Sequence, residues 1–189
     1  YHVETMDTSR RIELPKALLI YFTYNSDSLG DSKRAFIYSC IIANKQKDIN
    51  LEITEQIKHH ITRMGAVCNV YDQYNRNVTS IDIPEGTQCI LVIGGDGTIL
   101  AAARMLVGNT IPLLGINLGT LGFLADVNLA DLSKTLDLLL KDQYQVENRI
   151  MLTAEVYKQG EKAATYIALN DFNINRCGAS RVIGLKVGI

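Results

Sequence analysis

Short apolar runs recur along the first three quarters of the chain, and polar or amphipathic stretches separate them. Runs of this length that are apolar throughout are typical of strands covered on both faces of a parallel sheet. The predicted strands are residues 17–23, 67–71, 89–93 and 111–117. A sheet of this kind needs covering helices, and the intervening stretches supply them.

Apolar residues at helical spacing mark these predicted helices. Isoleucines three or four positions apart predict a helix over 53–64, and Gly65 follows where a glycine often ends a helix. Further helices are predicted over residues 98–107 and 129–140. The alternation of strand and helix predicts an α/β fold with an open, Rossmann-like parallel sheet and covering helices.

The hydrophobic period changes near residue 145. "IMLTAEVYK" alternates apolar and polar residues, "QGEK" is typical of a hairpin turn, and "ATYIALNDFNINR" again resembles a strand. We therefore predict an α/β nucleotide-binding domain over 1–147 and the start of an antiparallel, β-rich second domain (a β-sandwich) over 148–189. The chain opens on Tyr1 and stops within a strand-like run, so we expect it to be a piece of a longer polypeptide.

Composition and charge argue against several classes of protein. The chain is 47% hydrophobic and 21% charged with a formal net charge of −1, which gives no sign of a nucleic-acid-binding surface. No apolar run approaches the roughly 20 residues of a membrane span. The four cysteines are widely spaced, which favours free thiols in a cytoplasmic protein over disulfides or a zinc site. We expect no nucleic-acid partner, no membrane partner and no resident metal ligands.

The third predicted strand runs into the string "GGDGT". Gly94, Gly95 and Gly97 would let backbone N–H groups approach phosphate oxygens, and the next helix adds its positive N-terminus. Asp96 does not suit passive anion binding, but a carboxylate can contact Mg²⁺ through water or accept a proton from an attacking hydroxyl. The alternative is an ordinary turn in which Asp96 or Thr98 caps the helix.

A second glycine-rich string, "GINLGTLGFLADV" (115–127), ends the next predicted strand. Because parallel strands end at the same edge of a sheet, the two loops are expected to form a crevice. Asn117 and Thr120 could donate hydrogen bonds to a ligand there. Phe123 could pack against a purine, although taken alone it suits the core better.

These two strings and "ALNDFNINR" (168–176) together resemble the NAD kinase family, and the second string is the most specific of the three. The resemblance implies transfer of the γ-phosphoryl group of ATP to the 2′-hydroxyl of the adenosine ribose of NAD, which gives NADP. It also implies Mg²⁺ or another divalent cation with ATP, and a cytoplasmic homo-oligomer, either a dimer or a tetramer.

The resemblance assigns a role to each matching residue. Asp96 would be the general base, Gly97 would lie against the nucleotide, and Phe123 would belong to the adenine pocket. The remaining matches are the nucleotide-loop residues Gly94, Gly95, Thr98, Asn117 and Thr120.

Asn170 and Asp171 match an Asn-Glu pair that binds adenosine and ribose hydroxyls in the family, and Arg181 falls near a position that contacts the dinucleotide. Asp171 is one methylene shorter than the usual Glu, so its ribose contact would be shifted. Ala101 stands where many members carry a basic residue, which removes a possible phosphate contact. The chain stops before later motifs of the family, so we expect weak or no activity from these 189 residues alone.

Two other functions remain compatible with the sequence. A lipid or sphingoid kinase of the wider GGDGT group would share the first loop, but the second loop and the Asn170-Asp171 pair suit a polar nucleoside better. A catalytically silent NAD(P)-binding module would keep both loops without turnover.

Overall fold

The computed structural model describes residues 15–22, 38–71, 81–119, 122–125 and 127–174. The chain divides into two compact units. The first is Lys16–Arg149, and the second combines Tyr1–Pro15 with Ile150–Ile189.

A six-stranded sheet forms the framework of the first unit. Its strands are β1 (Lys16–Tyr21), β2 (Tyr38–Ala43), β3 (Val67–Tyr71), β4 (Cys89–Gly94), β5 (Leu113–Asn117) and β6 (Gln145–Ile150). They lie in the order β3-β2-β4-β5-β1-β6, and the four pairs from β3 to β1 are parallel. The predicted α/β fold with a largely parallel sheet is confirmed.

Three helices accompany the sheet: α1 (Glu52–Arg63), α2 (Asp96–Met105) and α3 (Leu132–Leu140). The three predicted helices are therefore confirmed, with ends that differ from the prediction by at most three residues. Gly65 follows α1 with a φ of +85°, the left-handed conformation in which glycine commonly ends a helix. At the other end of α1, the Asp48 carboxylate accepts hydrogen bonds from the backbone N–H groups of Ile53 and Thr54 at 3.0 and 2.9 Å.

The core lies between the sheet and these helices. β4 and β5 are buried along their whole length, as the continuous apolar runs predict. Ile57 and Ile61 of α1, and Leu136 and Leu139 of α3, pack into the same cluster. Each such side chain contributes about 1.5–3 kcal/mol by leaving water.

The predicted set of strands lacks β2, although β2 lies between β3 and β4 inside the sheet. Its fully apolar part, Cys40–Ala43, is short, and polar residues stand on both sides of it. β6 is also absent from the prediction because its residues are exposed and mostly polar. The first strand is observed over Lys16–Tyr21 rather than 17–23.

In the second unit, β7 (Leu152–Lys158) and β8 (Glu161–Ala168) form an antiparallel hairpin. Gln159 and Gly160 connect them with φ values of 54° and 83°, the two positive angles of a type I′ turn. The hairpin predicted around "QGEK" is confirmed. The strand-like run at 181–189 lies outside the described residues.

Cys40, Cys68 and Cys89 are buried free thiols in three neighbouring strands. Cys68 and Cys89 pair with Ser39 from opposite sides. Two strand spacings separate them, about 9–10 Å, which is too far for a disulfide. Cys177 lies outside the described residues.

These buried thiols should resist chemical labelling in the folded protein. Burial raises the pKa of all three, that of Cys40 to about 11, so the reactive thiolate is scarce at pH 8. We expect a charged disulfide reagent to modify them at least tenfold more slowly in buffer than in urea. The measurement uses Cys177→Ser as background, and rapid labelling without denaturant would contradict the burial.

Within the ranges that the structure describes, no helix has the length and apolarity needed to span a membrane.

Candidate functional site

The GGDGT string forms the junction between β4 and α2. β4 ends at Gly94, Gly95 is the residue that caps α2, and the helix begins at Asp96. No side chain caps this helix, so the interpretation of Asp96 or Thr98 as a capping residue is wrong. The first N–H groups of a helix have no acceptor inside it, which leaves this end suited to an anion.

Gly94 is required by close packing within this junction. A Cβ atom on Gly94 would overlap the Thr98 hydroxyl. Thr98 is buried, and its hydroxyl oxygen accepts a 3.3 Å hydrogen bond from the Asn44 side-chain amide. Asn44 directly follows β2, so the sequence prediction, which lacks this strand, missed it.

The second glycine-rich loop lies against the first. The backbone N–H of Leu118 donates to the carbonyl of Gly94 at 2.9 Å, which joins the ends of β5 and β4. Farther along the loop, Val127 forms a parallel bridge with Ile116 and accepts a 2.8 Å bond from the N–H of Asn117. The loops meet at the carboxyl edge of the sheet, as the sequence predicts.

The Asp96 carboxylate is held by the second loop. Oδ2 accepts a hydrogen bond from the backbone N–H of Phe123 at 2.8 Å, and Oδ1 accepts one from Leu124 at 3.2 Å. A Cβ atom on Gly122 would overlap this carboxylate, so the loop approaches only because residue 122 is glycine. Each oxygen keeps acceptor capacity beyond these bonds. Asp96 is thus a half-buried carboxylate of fixed orientation.

Gly97 and Phe123 face open space. Phe123 is 98% exposed, so the interpretation of its side chain as part of the core is wrong. Gly97 is also exposed, and a Cβ atom there would meet nothing within 4 Å. An aromatic ring that a loop presents to solvent beside a carboxylate has its whole face available for stacking.

Asn117 is buried, and its side-chain oxygen accepts a 2.9 Å hydrogen bond from the N–H of Gly119. This contact shapes the turn that follows β5. Thr120 and Arg181 lie outside the described residues. In the second unit, Asn170 and Asp171 are exposed and follow β8 closely.

The described part of the chain contains no group of three or more His, Cys, Asp or Glu side chains that could hold a metal ion. Mg²⁺ at phosphoryl-transfer sites is commonly held by substrate phosphates with one or two carboxylates. The Asp96 carboxylate fits a contact through water to an ion of this kind, which would bring its other ligands with the phosphates.

Comparison with known proteins gives a consistent picture. A family model described as the ATP-NAD kinase N-terminal domain matches residues 41–144, which is more than half of the chain. The N-terminal model of a family of unknown function matches residues 1–66.

The chain is 40% identical over 155 residues to the NAD kinase of Lachnoclostridium phytofermentans, covering 79% of this chain and 54% of the relative. It is 37% identical over 157 residues to the NAD kinase of Lachnospira eligens, with the same coverage of each chain. The chain therefore spans about half the length of these curated relatives.

A crystal structure of yeast NADH kinase complexed with NADH superimposes with a TM-score of 0.50 at 19% identity, covering 82% of this chain and 53% of that one. This likeness supports the fold.

Proposed function

Since this chain belongs to the NAD kinase family, we propose that it serves ATP-dependent phosphorylation of NAD. The acceptor is the 2′-hydroxyl of the adenosine ribose, and the products are NADP and ADP. The observation that carries the proposal is the Asp96 carboxylate, which the second loop holds in place beside the glycine turn. A hydroxyl nucleophile needs a proton acceptor of this kind.

In the proposed step, the ribose oxygen forms a bond to the γ-phosphorus while the bond from that phosphorus to the β–γ bridging oxygen breaks. Asp96 accepts the proton of the hydroxyl, and ADP leaves with the bridging oxygen. Two backbone N–H groups fix the carboxylate, so little reorientation is needed at the moment of transfer.

We assign the phosphates of ATP to the junction of β4 and α2, near Gly94, Gly95 and Thr98. The N-terminus of α2 favours negative charge there, because its first N–H groups have no acceptor within the helix. Mg²⁺ or another divalent ion bound with ATP would neutralise part of the phosphate charge, with phosphate oxygens and water as its ligands.

The acceptor roles rest on the family match. Gly97 lies against the nucleotide in this proposal, and Phe123 stacks on the adenine of NAD. The full exposure of the Phe123 ring supports this stacking role. Asn170 and Asp171 bind the ribose hydroxyls, and Arg181 contacts the dinucleotide. Asn117 and Thr120 belong to the nucleotide loop in this proposal.

We also propose that the working enzyme is a cytoplasmic homo-oligomer. The three described free cysteines fit a reducing compartment. The division into a nucleotide-binding domain over 1–147 and a β-rich domain over 148–189 belongs to the same proposal.

The decisive assay follows NADP formation by the full-length polypeptide that contains this chain. With ATP and a divalent ion, we expect NADP to accumulate from NAD and no phosphorylation of diacylglycerol. NAD binding without NADP formation would instead indicate a silent binding module. Phosphorylation of the lipid alone would overturn the proposal in favour of a lipid kinase.

A further inference from the structure

Lys47 lies over the glycine turn, although it is far from that turn in sequence. It is an exposed residue of the turn that follows β2. Its Nζ atom is 2.7 Å from the position that a Cβ atom on Gly95 would occupy. The ammonium group therefore sits directly above the residue that caps α2.

The turn that carries Lys47 is anchored at both of its ends. At its start, Asn44 donates to the Thr98 hydroxyl, and the Asn44 carbonyl accepts the backbone N–H of Lys47 at 2.9 Å. At its end, the Asp48 carboxylate is used by the first turn of α1, including a 2.5 Å bond from the Thr54 hydroxyl. The backbone at Lys47 is thus fixed relative to the glycine turn.

The ammonium of Lys47 is not committed to another group in the part of the chain that the structure describes. None of the ion pairs found there includes it, and the neighbouring Asp48 carboxylate is engaged with α1. The first turn of α2 carries an aspartate and no basic residue. A polyphosphate bound at this helix end needs a positive charge from elsewhere, and Lys47 is placed to supply it.

We infer that Lys47 is a phosphate-binding residue of the nucleotide-donor site. Its ammonium donates hydrogen bonds to a phosphate oxygen of ATP over Gly95. It also supplies the positive charge that the first turn of α2 lacks. The inference deepens the proposed function and rests on it for the identity of the ligand. Lys47 is not recognisable from the sequence pattern, because only β2, a strand absent from the prediction, brings this turn to the carboxyl edge of the sheet.

The test compares Lys47→Ala, Lys47→Arg and the matched control Lys45→Ala in the full-length polypeptide. Lys45 is an exposed lysine of the same turn, so its loss changes the net charge equally. Calorimetric titration measures the binding of ATP, ADP, AMP, adenosine and NAD, and initial rates give KM and kcat for both substrates.

We expect Lys47→Ala to weaken ATP binding by about 10- to 100-fold, the size of one lost charged hydrogen bond. Adenosine and NAD binding should change by less than about threefold, and Lys47→Arg should recover most of the ATP affinity. Lys45→Ala should bind ATP within about twofold of the wild type, because exposed charges at a distance are screened.

A further variant, Gly95→Ala, tests the placement of the ammonium. The backbone at Gly95 is extended, with φ −138° and ψ −174°, so alanine fits without strain. Its Cβ atom would displace the Lys47 ammonium, and we expect weaker ATP binding. In the Lys47→Ala background, Gly95→Ala should weaken ATP binding little further, because the lysine ammonium that it would displace is already absent.

The outcomes separate the two proposals. If Lys47→Ala binds ATP as Lys45→Ala does, or loses adenosine and ATP affinity equally, the inference is wrong. If the wild type binds ATP through Lys47 but forms no NADP, the inference stands and the proposed function fails.

Discussion

Replacing Asp96 with asparagine is expected to lower kcat for NADP formation by roughly 10²–10⁴-fold, the usual contribution of a general base. Asparagine keeps the size of the side chain but cannot accept the ribose proton. The KM values for ATP and NAD should change far less than kcat, because the proton moves only in the transition state. Steady-state rates with each substrate varied in turn measure this split.

Asp96→Asn needs a control for the structure of the second loop, because the Asp96 carboxylate also holds that loop in place. The asparagine amide can accept one of the two N–H bonds but places its own N–H₂ group against the other donor. Thermal unfolding shows whether the variant is folded, and NAD titration shows whether the loop still binds the acceptor. An Asp96→Asn enzyme that binds both substrates and keeps wild-type kcat would rule out the base.

Gly122→Ala is expected to lower kcat/KM for NAD on the order of 10²-fold, the largest expected effect after that of Asp96→Asn. A Cβ atom would overlap the Asp96 carboxylate, so the loop and the carboxylate must separate and both N–H bonds are lost. A displacement of about 1 Å at a reacting group can have an effect of this size. Initial rates at varied NAD concentration provide the measurement.

Gly119→Ala is the matched control for this substitution, since it lies in the same loop. The nearest atom to a Cβ there is the Asn117 side-chain oxygen, at 4.0 Å. This variant should retain kcat/KM within about threefold, because 4 Å is ordinary van der Waals distance. Equal losses from Gly119→Ala and Gly122→Ala would mean that general loop disorder, and not the Asp96 contact, sets the rate.

Much of the first unit follows from the sequence because its strands β4 and β5 are buried along their whole length. The run that became β4 is apolar throughout, those that became β3 and β5 each contain one asparagine, and the helices between them show clear periodicity. β2 was not predicted because its apolar run, Cys40–Ala43, is only a few residues long and has polar residues on both sides. Such a run is not distinctive enough to indicate a strand. Its burial depends on strands from distant parts of the chain, which local patterning does not encode.

The site, like the fold, has some features that the sequence predicts and others that it does not. The meeting of the two glycine loops could be predicted, since it requires only that parallel strands end at one edge. The bonds from Phe123 and Leu124 to Asp96 could not, because they depend on how the second loop folds back. The exposure of Phe123 has the same origin, since the loop backbone turns toward Asp96 and leaves the ring outside. The structure adds Lys47 through β2, the strand that the sequence prediction lacks.

The strand order also has a consequence for how the protein folds. β2 to β5 form one contiguous stretch of chain, and each pairs with a strand of the same stretch. β1 instead pairs with β5, and their paired residues, Leu19 and Leu113, are far apart in the sequence. Pairing over this distance is slow because the intervening chain must first be closed into a loop. The first glycine loop and the Lys47 turn lie within this stretch, and the second glycine loop directly follows it. The sheet edge that carries the first glycine loop and the Lys47 turn can therefore assemble during synthesis before β1 has paired with β5.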